Sequence, residues 1–147
     1  MVTNNDCELC ANPGGELLWQ NEFCRVVRVA GADGKAFPGY CRVVWHRHAA
    51  EMSDLVASDM SHIMDVVLAT ERVVRRVVQP DKINLASLGN LVPHLLWHVI
   101  PRWKDDSHFP APIWAAAQRG GTARPMPASD DLQYALNSEL STLTKTP

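Results

Sequence analysis

The segment Pro93-His-Leu-Leu-Trp-His-Val-Ile-Pro-Arg102 leaves little freedom for local structure. Proline at both ends disfavours a helix, and the β-branched and aromatic residues between them suit a strand. In a strand, alternate side chains share a face. His94, Leu96 and His98 therefore point one way, and Leu95, Trp97 and Val99 the other. Two imidazoles at that spacing describe a site built on a rigid strand, with an apolar side chain in the middle of the row.

The rest of the chain divides into elements that can house such a strand. Residues 17–20 and 24–29 read as two short strands joined by Asn21-Glu22-Phe23, and residues 39–45 as a third. Residues 30–35, with two glycines and an aspartate, read as a loop. A helix is predicted over 58–78, capped by Ser58, with Met60, Ile63, Met64, Val67, Leu68, Val74 and Val78 on one stripe and Pro80 as its stop. Such a stripe is a core-packing face. Residues 82–88 and 95–100 are predicted strands, and 104–128 an irregular stretch. Ser129–Leu140 is a second helix capped by Ser129, with Leu132, Ala135 and Leu136 on one side, and residues 142–147 are expected to fray. Strands, one helix, then strands, without βαβ alternation, predict an α+β fold with an antiparallel sheet.

At 147 residues the chain is one domain with room for a core. A net charge of -2 and the lack of a basic block speak against nucleic acid or an anionic membrane. The polar N-terminus has no signal-peptide pattern, and no apolar run is long enough to span a bilayer. Four cysteines are too few for a disulfide framework in a chain this long, so a reducing cytoplasm is expected. Cys24 and Cys41 lie in predicted strands and are expected to pack, while His46 and His62 have no evident partner.

The row His94-Leu-Leu96-Trp-His98-Val-Ile resembles the signature of the histidine triad (HIT) family, His-x-His-x-His followed by two apolar residues, with the middle histidine replaced. The Cys7-x-x-Cys10 pair, the Pro38-Gly39 turn, His48, the Asn84–Asn90 loop and Ile100-Pro-Arg102 follow in the family's order. A Trp inside the triad and the tail His108-Phe-Pro-Ala-Pro-Ile-Trp114 resemble a bacterial branch of it. The resemblance implies a HIT-like domain over 1–115, with 116–147 a C-terminal arm of the same domain. It implies about five antiparallel strands, one long helix and a two-fold homodimer. It further implies a purine nucleotide ligand, with the third histidine, His98, at the α-phosphate and leaving group, and Asp33, Asn84 and Asn90 at the ribose–phosphate. In the family the middle imidazole attacks the α-phosphorus and forms a nucleotidyl-imidazole intermediate. Leu96 has no lone pair and can be neither nucleophile nor base. Three readings stand together: a nucleotide binder without catalysis, weak phosphoramidate or dinucleoside polyphosphate hydrolysis through His98 or water, or an inactivating substitution.

Cys-x-x-Cys by itself suits zinc, a redox pair or packed thiols. A redox role requires a helix behind the first cysteine, whereas Ala11-Asn-Pro-Gly-Gly15 reads as a loop. A closed zinc site requires four ligands, and the resemblance adds His48 and His94 to Cys7 and Cys10. A zinc-stabilised interaction protein without catalysis is then a further alternative. The tail 108–114 is too rich in proline for a helix and is expected to run extended over the surface, docked by Phe109, Ile113 and Trp114.

Overall fold

The computed structural model describes residues 6–143. Five strands form one antiparallel sheet in the order β1-β2-β3-β5-β4: β1 Glu16–Gln20, β2 Cys24–Arg28, β3 Cys41–Trp45, β4 Lys82–Ala86 and β5 Leu96–Arg102. The helices are α1 Glu8–Ala11, α2 Gly31–Ala36, α3 Ala57–Val78 and α4 Ser129–Leu140, with a 3₁₀ turn at Met52–Asp54. The α+β architecture with a five-stranded antiparallel sheet is the one expected.

The β1–β2 hairpin closes without glycine because the Asn21 side chain replaces it. Its Oδ1 accepts from the N–H groups of Phe23 (2.9 Å) and Cys24 (3.0 Å), an Asx turn. Val26, Val43 and Val99 face α3, and with Ile63, Val66, Val67, Val73 and Val74 of that helix they form the main core, each at most 1% exposed. Leu132, Leu136 and Leu140 of α4 are fully buried in the same core, so the C-terminal arm packs as part of it. The opposite face carries Arg25 and Val27, Arg42 and Val44, and Leu96 and His98 on the three central strands.

The structure corrects several local expectations. Residues 31–36 are helical: Gly31 (φ +73°) turns the chain out of β2, and at Gly34 a Cβ would stand 2.2 Å from the Val29 carbonyl oxygen. Gly31 supplies the left-handed conformation in open space, and Gly34 the close approach of the helical turn to Val29. The cap of α3 is Val56, so Ser58 lies inside the first turn, and Ser129 is inside α4 with Ala128 as its cap. Ser129 instead hydrogen-bonds Glu16 and accepts from Arg28 (3.1 Å), tying α4 to β1 and β2. Leu68 is 43% exposed, outside the buried stripe, which runs through Val66 and Val73. The fraying expected over 142–147 falls mostly outside the described residues.

The tail 108–114 folds as successive turns rather than an extended strap (Ala111 N–H to His108 O, 2.8 Å; Ala115 N–H to Pro112 O, 3.0 Å). Asp106 organises it. Its carboxylate, 2% exposed, pairs with Arg102 through both oxygens (2.9 and 3.1 Å) and accepts from the N–H groups of Trp103, His108 and Phe109. Burial by itself would raise the Asp106 pKa. The Arg102 guanidinium and those three N–H groups outweigh it and hold the carboxyl at about 2.

Because that value lies below the unfolded one, the Asp106 contribution is complete above the unfolded pKa of 3.8 and is lost as pH falls through about 2. It amounts to about 2 kcal/mol. Asp106→Asn leaves Arg102 buried without a counter-charge and is expected to cost about 3–5 kcal/mol at neutral pH. Denaturant melts at pH 6 and pH 2.5 check both statements. Equal stability of wild type and variant at pH 6 refutes them.

Candidate functional site

Two clusters of chemistry-bearing side chains lie on the sheet face opposite α3, joined by the N-terminal segment. The first gathers Cys7, Cys10, His48 and His94, whose ligand atoms all lie within 4.8 Å of one another. His94 is fully buried, just before β5. Its Nε2–H donates to the Trp45 carbonyl (2.5 Å), so its Nδ1 lone pair faces Cys7 Sγ (3.3 Å) and Cys10 Sγ (3.5 Å). His48 Nδ1 lies 3.5 Å from Cys10 Sγ. Burial, against the Trp45 carbonyl, keeps the His94 pKa below its ordinary value, so the ring is neutral. Partial burial and then Cys7 push the Cys10 thiol up.

The donor set suits a metal ion. Tetrahedral coordination with metal–sulfur and metal–nitrogen distances of about 2.3 and 2.0 Å separates donors by about 3.5 Å, and the three sulfur–nitrogen distances match. The backbone carbonyl that fixes the far nitrogen of His94 is the support such ligands usually have.

The segment bearing the cysteines is held by Arg25, 7% exposed on β2. Its guanidinium donates to the carbonyls of Leu9 (2.7 Å), Asn12 (3.1 Å) and Pro13 (2.8 Å), and to His46 Nδ1 (3.1 Å). His46 completes its own bonding from Nε2 to the Asn21 carbonyl (2.9 Å), and His62 Nε2 accepts from Asn21 Nδ2 (2.8 Å). Both histidines thus have structural partners.

The second cluster surrounds a cavity of about 760 Å³, within the range of small-molecule sites. Its walls come from the N-terminal segment (Leu9, Asn12, Pro13, Gly14), from the 88–92 loop, and from Arg42, Leu96, His98 and Trp114. Gly14 (φ +88°) turns the segment over the cavity, and its carbonyl accepts from Arg42 (3.1 Å). Leu96 is 6% exposed and packs with Cys7, Leu9, Val27 and Val44.

His98 lies opposite Arg42 in the β3–β5 pairing and edge-on to Trp114 (ring centroids 5.0 Å). The Leu88 carbonyl, 3.4 Å from Nε2, can only accept, so Nε2 carries the proton and Nδ1 accepts from the Tyr40 hydroxyl (2.7 Å). Burial, and then the Arg42 charge, keep the His98 pKa below its ordinary value of 6.5, against the Leu88 carbonyl, which favours the charged ring. The imidazole is neutral at pH 7, with an N–H on the cavity side.

A model of the HIT domain matches residues 21–105. The chain belongs to the HIT domain family. This HIT protein is 32% identical over 78 residues to the AP-4-A phosphorylase of Mycobacterium tuberculosis, a match covering 49% of the chain and 40% of that protein. The chain thus spans less than half the length of that relative. Among solved structures it is similar to a histidine triad protein from Bradyrhizobium japonicum (26% identity, TM-score 0.68, 86% of this chain and 91% of that one). It also shares its fold with a zinc-bound histidine triad family protein from Mycobacterium smegmatis (17% identity, TM-score 0.57, 97% and 98% covered). No described helix is long and apolar enough to cross a membrane.

Within this HIT domain the residues expected at the site separate into three groups. Cys7, Cys10, His48 and His94 come together, and Leu96, His98 and Asn90 line the cavity. Asn84 and Asp33 do not line it. Asn84 Oδ1 accepts from Arg102 (2.7 Å), since the buried guanidinium requires a third acceptor side. Asp33 is on the exposed side of α2, which residue 34 anchors to Val29. Arg102, at the end of the triad strand, is occupied by Asp106 and the Ala111 carbonyl (2.8 Å). Arg42 and Tyr40 were not among the expected site residues. The available signal was a charged residue inside the apolar run Cys41–Trp45.

Tyr40→Phe removes the donor to His98 Nδ1 and is expected to cost about 1–3 kcal/mol, because a buried acceptor is left unpaired. Nitrogen-15 spectra of the ring at pH 7.5 should show the Nε2–H tautomer in wild type and a tautomer mixture in the variant. A protonated Nδ1 in wild type refutes the assignment.

Proposed function

We propose that this HIT protein binds a purine nucleotide in the 760 Å³ cavity and that its hydrolase or nucleotidyl-transferase chemistry is lost or reduced. The observation that carries the reading is the side chain of Leu96 on the cavity wall, in line with His98 and packed on Leu9 and Val44. The strand presents the family's frame with an aliphatic group at the attacking position. His98 retains a phosphate-facing role: its Nε2–H, engaged only by the long 3.4 Å contact to the Leu88 carbonyl, would turn to a phosphoryl oxygen of a bound nucleotide. Asn90, exposed in the 88–92 loop, offers a donor and an acceptor to a ribose or phosphate. The name of the mycobacterial relative, AP-4-A phosphorylase, agrees with a nucleotide ligand.

Calorimetric titration with purine nucleoside monophosphates is expected to give saturable binding, and none at millimolar ligand overturns the proposal. Leu96→His is expected to raise turnover of a nucleoside phosphoramidate by several orders of magnitude at nearly unchanged nucleotide affinity, the scale of a covalent nucleophile. No gain means the pocket around residue 96 no longer supports the chemistry.

The same proposal includes zinc at Cys7, Cys10, His48 and His94. Two thiolates and two neutral imidazoles form a neutral tetrahedral set with Zn²⁺, and the zinc-bound mycobacterial neighbour supports that metal. Bound there, zinc supplies folding energy, not a reacting group. The segment it pins continues into Leu9, Asn12 and Pro13 of the cavity wall. Protein purified without chelator is expected to carry about one zinc per chain, and chelation is expected to lower both the melting temperature and nucleotide affinity. Less than about one zinc per four chains, with melting unchanged by chelator, refutes this part.

A further inference from the structure

Three arginines stand on the sheet face that carries the two clusters, and their hydrogen bonds are accounted for differently. Arg102 is neutralised by Asp106. Arg25 has no carboxylate partner among the described residues, but three carbonyls and His46 Nδ1 use its N–H groups. Arg42 is neither neutralised nor saturated. One of its terminal nitrogens donates to the Gly14 carbonyl (3.1 Å). Its Nε is buried without a hydrogen-bond partner. It has no ion pair among the described residues, and Glu8, which shares the cavity wall, does not pair with it. Its guanidinium lies 5.8 Å from the Tyr40 ring centroid and acts on the hydroxyl of that residue.

A partly buried cation with an orphaned donor, on the wall of a mostly apolar cavity, is costly in the free protein. The Arg42 Nε is closed off from the cavity, so an oxyanion there would meet the charge through the terminal N–H groups that the Gly14 carbonyl leaves over. Directly across the β3–β5 pairing stands His98, whose neutral ring offers one N–H to the same space. A guanidinium beside an imidazole N–H is a two-donor fork with one full positive charge, suited to a phosphoryl group.

We propose that Arg42 is the specificity-determining residue of the cavity, taking the phosphoryl group of the ligand and separating phosphorylated nucleosides from unphosphorylated ones. This deepens the nucleotide reading of the site and rests on it. The charge that holds the ligand is then Arg42, on β3, and the triad strand contributes a hydrogen bond from His98. Binding of the phosphoryl group needs no protonated histidine and is expected to persist up to pH 8.

The experiment compares wild type, Arg42→Gln and Arg42→Lys, each checked for native circular dichroism, against adenosine monophosphate and adenosine. Wild type is expected to prefer the monophosphate. Arg42→Gln should lose about 10- to 100-fold in affinity for the monophosphate, the scale of one charge-assisted hydrogen bond, with adenosine affinity within about twofold. Arg42→Lys should recover part of the loss, since it keeps the charge without the fork. An unchanged monophosphate-to-adenosine ratio in Arg42→Gln, or equal loss for both ligands, overturns the proposal. If wild type binds neither ligand, the nucleotide reading fails separately, and inorganic pyrophosphate decides the role of Arg42. A saturable shift of the His98 ring signals, absent in Arg42→Gln, upholds it, and no shift in wild type overturns it.

Discussion

The register of β5 against β3 is the constraint on which both clusters depend. With Arg42 opposite His98 and Val44 opposite Leu96, one face of two neighbouring strands carries the cavity residues, and the other carries Val43 and Val99 into the core. A one-residue slip of β5 would exchange that strand's faces, placing His98 against α3 and sending Trp97 and Val99 toward the cavity, and a slip of β3 would do the same to Arg42 and Val43. The core therefore enforces the geometry of the site. Val43 and Val99 are fully buried, and each excludes the alternative register by the cost of exposing it.

The N-terminal segment joins what the sheet keeps apart. It contributes two sulfurs to one cluster and Leu9, Asn12, Pro13 and Gly14 to the wall of the other. Little regular structure holds it, since α1 is a single turn. Its place depends on Arg25 and on the packing of Cys7 and Leu9 against Leu96 and Val44. Leu96 thus has two consequences. Its side chain cannot act as a nucleophile, and it adds apolar contact that fixes the wall of the cavity it faces. An imidazole there would require a polar partner inside an apolar cluster.

Period-two alternation in 94–99, the helical stripe over 58–78 and the turn residues make the α+β class and most strand positions legible in the sequence, because these patterns depend on neighbours close along the chain. The two-histidine row and the cysteine pair are legible for the same reason. Helix α2 is not, because glycine marks both loops and close approaches and local sequence does not separate them. The turns of 108–114 are not, because they hang on Asp106, whose ligands include the side chain of Arg102.

The sequence alone determined which face of the triad strand bears His94, Leu96 and His98, and that residue 96 cannot attack phosphorus. Those statements follow from backbone periodicity and side-chain chemistry. Tertiary structure decided which arginine is left with an unsatisfied donor, that Asn84 belongs to Arg102, and that His94 turns to the sulfurs while His98 turns to the cavity. Each of these is settled by partners far away in sequence: 87 residues separate Cys7 from His94 and 58 separate Tyr40 from His98. A hydrogen bond or an ion pair is specified by distance and direction, and no local pattern contains them.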